Sequence, residues 1–208
     1  MLAAQSSQSL KTLLSPALDN EFVQVRSIPP ATRRVDAIEN CILKSGNAMV
    51  ELEIPVQERP AKPDAASEKA SAHVAAIFVQ PRGLYGCSAE QGVRRVLVEL
   101  KARPPASPFA DDAVKLDPGH NEVLLENDRV RVVRIHFAPG ESGPMVDKRP
   151  RVIVVLTDSH ASVTLPDGHS EIRDAKAGTI YFGRAGRQTT NNLGTTPLEN
   201  IVVELKSK

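Results

Sequence analysis

The chain has 208 residues, enough for one large domain or for two of about 100 residues each. Its 26 basic and 25 acidic residues nearly cancel, and aromatic residues make up only 3% with no Trp, which excludes a nucleic-acid surface built on phosphate contacts and base stacking. No apolar run approaches the roughly 18 residues needed to cross a bilayer, so no membrane partner is expected.

Apolar residues make up 41% of the chain, and with so few aromatics the core must come from Val, Ile and Leu. Branched residues of this kind favour strands, while 12 Gly and 16 Pro supply turns. Residues 1–17 read as an N-terminal extension with a short helix over Gln8–Leu14. Its first residues are polar and lack the apolar stretch of an export signal. The compartment stays open between the cytoplasm and an exported protein whose signal has been removed.

Residues 18–101 form a first unit. A strand opens after Asn20, and Gln57–Ser71, with Pro60, Pro63 and mixed charges, reads as a long surface loop. Cys41 and Cys87 have no metal-like spacing and read as free buried thiols, with a bridge inside this half left open. Residues 102–117 are Pro-rich and aperiodic, as expected of an exposed linker.

Residues 118–208 carry the clearest strand signals. Val130–Phe137 alternates, with Val133, Ile135 and Phe137 on one face and Arg134 and His136 on the other. Arg151–Leu156 is a nearly continuous apolar run, suited to a strand buried on both faces. Ala161–Leu165 and His169–Arg173 flank the hairpin turn Pro166-Asp167-Gly168. Gly178–Phe182, Gln188–Asn192 and Asn200–Lys206 complete the set.

The two halves repeat one another. Asn20–Val25 resembles Asn127–Val132, Leu43–Leu52 aligns with Leu156–Leu165, Ile77–Gly83 with Ile180–Gly186, and Val96–Lys101 with Ile201–Lys206. Short strands at regular spacing, written twice, predict an all-β chain with little helix.

With strand order and repeat in hand, Asn121–Lys206 resembles the small single-barrel cupins. The likeness rests on Pro139-Gly140, the Arg151–Leu156 strand, the Pro166–Gly168 hairpin, Ala177-Gly178, Asn192–Gly194 with Thr196-Pro197, and the closing Val202–Lys206. The first half, through the repeat and Pro81-Arg82-Gly83, resembles a diverged copy. The resemblance implies two tandem double-stranded β-helix (jelly-roll) barrels, as in a bicupin.

Cupin chemistry depends on a metal held by His and Glu side chains. The first two His positions after Pro139-Gly140 fall at Val146 and Lys148, the Glu position at Val152 or Ile153, and the second-motif His at Gln188. In the first half, Pro30–Asn40 contains no His, and Tyr85 takes the place of the second-motif His. No metal and no cofactor are therefore expected. A metal improvised from Asp147, His136 and Gln188 is a weaker alternative. His73, His120, His160 and His169 show no His-x-His spacing. Gly140-Glu-Ser-Gly143 lacks the sequel of a phosphate loop, and no nucleophile elbow occurs.

Alignment with the family points Lys148 and Gln188 into the barrel mouth, with Arg184 and Arg187 on the adjoining turn. Basic groups converging on a semi-enclosed pocket favour a carboxylate or phosphate. The same arginines would also serve as ordinary solvated loop charges, with Lys148 snorkelling outward. Lys148, Gln188, Arg184, Arg187, His136 and Tyr85 are the candidate ligand residues. The expected function is a non-catalytic cupin-fold protein that binds a small, anionic ligand in its second barrel. The alternatives are a metal-free isomerase or epimerase and a dioxygenase-type cupin with atypical ligands. A monomer or weak homodimer is expected, because tandem barrels bury the strand faces that single barrels use to dimerise.

Overall fold

The computed structural model describes residues 15–31, 42–56, 73–81, 83–86 and 90–207. The expected Gln8–Leu14 helix, the Gln57–Ser71 loop, Cys41 and Cys87 lie outside these residues. The chain divides into two compact units, Met1–Ala102 and Arg103–Lys208.

In the first unit, β1 (Leu18–Asp19), β2 (Val23–Ile28), β4 (Met49–Pro55), β5 (Ala75–Val79) and β7 (Val93–Leu100) form one sheet in the order β1-β2-β7-β4-β5. Two further strands, β3 (Ile42–Ser45) and β6 (Gly83–Gly86), pair separately. The second unit begins with the single helical turn α1 (Ala113–Leu116). Its strands β8 (Asn121–Glu126), β9 (Val130–Phe137), β11 (Arg151–Val155), β14 (Ile180–Gly183) and β16 (Leu198–Leu205) form a sheet in the order β14-β11-β16-β9-β8. The strands β10 (Val146–Lys148), β12 (Ser159–Thr164), β13 (Ser170–Ala175) and β15 (Gly186–Asn192) form a second sheet in the order β10-β15-β12-β13.

The repeat read from the sequence is a repeat of strand pairing. Val25 faces Val98 in the first unit, and Val132 faces Val203 in the second. Each leading strand is entered through the same turn. Asn20 Oδ1 accepts from Phe22 and Val23 N–H at 2.8 and 2.9 Å, and Asn127 Oδ1 accepts from Arg129 and Val130 N–H at 2.8 and 3.0 Å. Asn recurs because its short side chain mimics a backbone acceptor.

Two of the sequence matches need correcting. Val50 pairs with Val98 as Val152 pairs with Val203, so the counterpart of β4 is β11, not the β12 segment with which Leu43–Leu52 aligns in sequence. Phe78 pairs with Val50 as Phe182 pairs with Val152, which moves the strand part of the Ile77–Gly83 match by one residue, while Gly83 keeps Gly186 as its counterpart. A short alternating run fits more than one strand, and only the ladder decides between them.

β11 is buried along its whole length, as its composition predicts. The hairpin between β12 and β13 closes with Gly168 at φ 83, a backbone conformation that a side chain would strain. Gly168 N–H donates to Leu165 O at 3.0 Å.

The Pro-rich segment after Ala102 packs within the second unit. Arg103 donates to Asp128 O at 2.7 Å, and the Arg149 guanidinium lies 3.8 Å over the Phe109 ring. Asp112 caps α1 by accepting from Val114 N–H at 2.9 Å, and it also receives both terminal nitrogens of Arg131 at 2.8 and 2.9 Å. Arg131, only 5% exposed, is held on its other side by Glu204 at 2.7 Å. Removing one partner of a buried ion network leaves a desolvated charge behind. Asp112→Ala is therefore expected to cost about 3 kcal/mol in denaturant unfolding. Asp112→Asn, which keeps the cap acceptor, should cost less.

Candidate functional site

The two sheets of the second unit enclose a cavity of about 830 Å³. Strand alternation builds its walls. Ile135 and Phe137 of β9, Ile153 of β11, Val163 of β12, and Leu198 and Val202 of β16 give an apolar lining. Into it project Lys148 of β10, Arg151 of β11, Gln188 of β15 and Asn200 of β16.

Five basic residues line the cavity (Lys148, Arg151, Arg173, Arg184 and Arg187) against one acidic residue, Asp174. Several of these charges are already matched. Arg173 is paired with Glu171, and Arg187 is held by Asp111 and, at 3.1 Å, by Asp147. Asp174 accepts from His160 at 2.6 Å. Lys148 and Arg151 differ. Lys148 has no hydrogen-bond or ion-pair partner among the described residues. Arg151 is buried and donates only to carbonyls, Arg149 O at 3.1 Å and Arg184 O at 2.9 Å. Its guanidinium lies so close to Gly183 that a Cβ there would meet Arg151 Cζ at 3.0 Å.

Burial, reinforced by the Arg151 charge, pushes the Lys148 ammonium down from 10.5 to about 8. Glu204 and Asp117 act in the opposite direction and Arg131 adds to the depression. Both carboxylates are committed elsewhere, Glu204 to Arg131 and Asp117 to His120 at 2.7 Å. Burial likewise holds the Arg151 guanidinium below its ordinary range.

The first unit treats the same place differently. Leu43 pairs with Tyr85, and Ser45 with Gly83, as Val146 pairs with Gln188 and Lys148 with Gly186. The counterpart of Lys148 is thus Ser45, whose hydroxyl donates to Glu99 at 2.7 Å. Tyr85 packs with Ile28, Leu43, Met49 and Leu97, and its single hydroxyl proton is shared between Gln80 O at 2.8 Å and Asn47 O at 3.0 Å.

Of the residues singled out from sequence, Lys148, Gln188, Arg184 and Arg187 line the cavity. Arg187 turns its charge toward Asp111 and Asp147. His136 does not line it. That residue lies on the opposite face of β9, exposed, 3.2 Å from Glu199. Tyr85 belongs to the first unit. Sequence reading missed Arg151 and Asn200. Arg151 was absorbed into an apolar run, although alternation already puts it on one face with Ile153 and Val155. Asn200 sits between Leu198 and Val202 on the apolar face of β16, where a polar residue is the signal.

No protein-family profile matches the chain, and no curated protein does. Solved structures do. AerE from Microcystis aeruginosa aligns over 93% of this chain and 97% of its own at 11% identity and a TM-score of 0.51. A cupin domain from Bordetella pertussis Tohama I aligns over 42% of this chain and 92% of its own at 24% identity and a TM-score of 0.40. A single-substitution variant of the oxalate decarboxylase of Bacillus subtilis aligns over 90% and 70% at 11% identity and a TM-score of 0.48. At such identity the likeness to AerE, over nearly the whole of both chains, is one of fold alone.

A cupin metal would need imidazole and carboxylate donors converging on the barrel interior. The positions that the family resemblance assigns to such donors carry Val146, Lys148 and Gln188, none of which supplies an imidazole or a carboxylate. Among the described residues no three His, Cys, Asp or Glu side chains gather as a metal site. Asp147, considered as an improvised ligand, instead accepts from Ala110 and Asp111 N–H at 2.9 Å each and from Arg187. Those bonds, Asp111 N–H foremost, hold its carboxyl below the usual range. These residues do not fit a metal.

The buried ammonium has a stability consequence. Below pH 8 Lys148 is protonated whether folded or unfolded, so folding carries the full cost of burying the charge. Between about pH 8 and 10.5 the folded chain binds fewer protons than the unfolded one, and stability rises with pH. Lys148→Met should therefore stabilise the ligand-free protein at pH 7 by on the order of 2–3 kcal/mol. The gain should shrink toward pH 10.5, as read by thermal unfolding across that range.

Proposed function

We propose that the second cupin barrel is a non-catalytic binding site for a small organic anion. The observation that carries this reading is Lys148. It is a desolvated cation, near the charge of Arg151 and without an ion-pair partner among the described residues, in a half-open cavity lined by both apolar and polar side chains. Two like charges held together away from water are unfavourable, and an anion between them reverses the sign of the interaction. The cavity volume lies inside the range of roughly 300–1,000 Å³ typical of small-molecule pockets.

A metal-free isomerase would need an acid and a base facing one pocket. Of the His160–Asp174 pair only Asp174 lines the cavity, and the side chains are 51% and 74% exposed, so the two do not face one pocket as such a pair would have to.

The test is calorimetric titration with benzoate, butyrate and phosphate. At pH 7 at least one should bind saturably and raise the unfolding temperature. Affinity should fall as pH rises past about 8, where Lys148 loses its proton. Lys148→Met should weaken binding at least tenfold, whereas Arg187→Ala, which removes a charge already paired outside the cavity, should change it less than threefold (about 0.65 kcal/mol). Binding that is indifferent both to pH and to Lys148, or no binding at all, overturns the proposal.

A further inference from the structure

Among the described residues, Arg149 Nε, Asn191 Oδ1 and Asn200 Oδ1 are buried side-chain polar atoms without a hydrogen-bond partner, and all are shut away from solvent and ligand alike. Lys148 Nζ also lacks a partner, but it is not one of these sealed atoms. The residue is half-buried and lines the cavity, so a ligand there reaches it. Room for one exists beside the side chain. Lys148 pairs with Gly186, which also lines the cavity. Directly opposed residues of an antiparallel pair share a face, and a Cβ placed on Gly186 would meet no atom within 4 Å.

Lys101, Lys176 and Lys206, by contrast, are held by Asp19, Asp158 and Glu126. An amine paired with a carboxylate stays protonated and is no nucleophile. With its ordinary value of 10.5 moved to about 8, Lys148 is neutral in about a tenth of molecules at pH 7, against about one in 3,000 for an unshifted lysine. Desolvated amines of this kind attack carbonyl carbons.

We infer that Lys148 binds a 2-oxo acid covalently and reversibly, as an imine. This rests on the anion-binding reading and names the class of anion. The neutral nitrogen adds its lone pair to the ketone carbon while the carbonyl oxygen takes up a proton. Nitrogen then expels that oxygen as water, which carries away the two protons that began on the amine, and C=N replaces C=O. The step needs neither oxidant nor reductant. Protonation of the imine restores the positive charge that the carboxylate meets, with the charge of Arg151 near it. Because one nitrogen both attracts the carboxylate and attacks the carbonyl, the two groups must be neighbours on the ligand. Hydrolysis returns the same acid, so the step is binding and not turnover.

Reductive trapping on the full chain at pH 7 tests this. Pyruvate and 4-methyl-2-oxopentanoate are compared with acetone and 4-methyl-2-pentanone, in which a methyl group replaces the carboxylate, each in the presence of sodium cyanoborohydride. Peptide mapping by mass spectrometry reads the rate at Lys148 relative to Lys176 in the same sample, each acid adding its own mass less one oxygen atom. With at least one acid Lys148 should react about tenfold faster than Lys176 or more. That preference should fall at least threefold with the matching ketone, which has no charge for the site to recognise. If neither acid labels Lys148 faster than Lys176 while a simple anion still binds through Lys148, this inference is overturned and the anion site stands. If the ketones prefer Lys148 as strongly as the acids do, or if there is neither labelling nor anion binding, both fall. The comparison is between two lysines of one unaltered protein, so it does not depend on how any variant folds.

Discussion

The second unit depends on the antiparallel pairing of β9 with β16. Every important alignment in its interior is set by that ladder's register. It places Arg131 opposite Glu204, Ile135 opposite Asn200, and Phe137 opposite Leu198. A slip of one residue would send the charged pair and the apolar lining to opposite sides together. β11 on one flank and β8 on the other inherit this register, so the position of Arg151 opposite Glu204 is fixed by the same ladder.

The same ladder occurs in the first unit, but the charge placed against it differs. Glu99 stands where Glu204 stands and is satisfied by Ser45, by Asn47 at 2.8 Å and by Arg26 at 3.6 Å. That polar cluster is internally complete, and Tyr85 with its aliphatic neighbours fills the space beside it. In the second unit Glu204 is taken by Arg131, and the serine is replaced by a lysine with no ion-pair partner among the described residues. One scaffold thus has two outcomes among the described residues: a glutamate closed on by Ser45, Asn47 and Arg26, and a lysine left without such a partner at the edge of a cavity.

Much of this was readable from sequence. Each strand named in the second half corresponds to an element, because alternation and turn residues agree there. The Asn20 and Asn127 turns were good markers, since each fixes where a ladder begins. The Leu43–Leu52 match failed because apolar alternation of that length carries no register. His136 was legible as an outward residue, since the pattern that puts Ile135 and Phe137 inward puts it on the opposite face. The short strand β10 was not legible, and without it Lys148 could be placed only by analogy with a family. Arg151 and Asn200 were hidden because each is a single polar residue inside an apolar stretch, where only knowledge of which face is hollow makes it informative.

β13 lies at the end of its sheet and is exposed along nearly its whole length, Ile172 to the extent of 55%. Yet Ile172 and Arg173 form part of the cavity wall. Exchanges there reshape the entrance without disturbing close-packed neighbours, whereas those in β9 or β16 strike the centre of the barrel. On the binding role proposed above, selectivity at the doorway is in this way separated from the integrity of the frame, and a lineage carrying this architecture is free to retune what it admits by changing residues whose loss the fold barely registers.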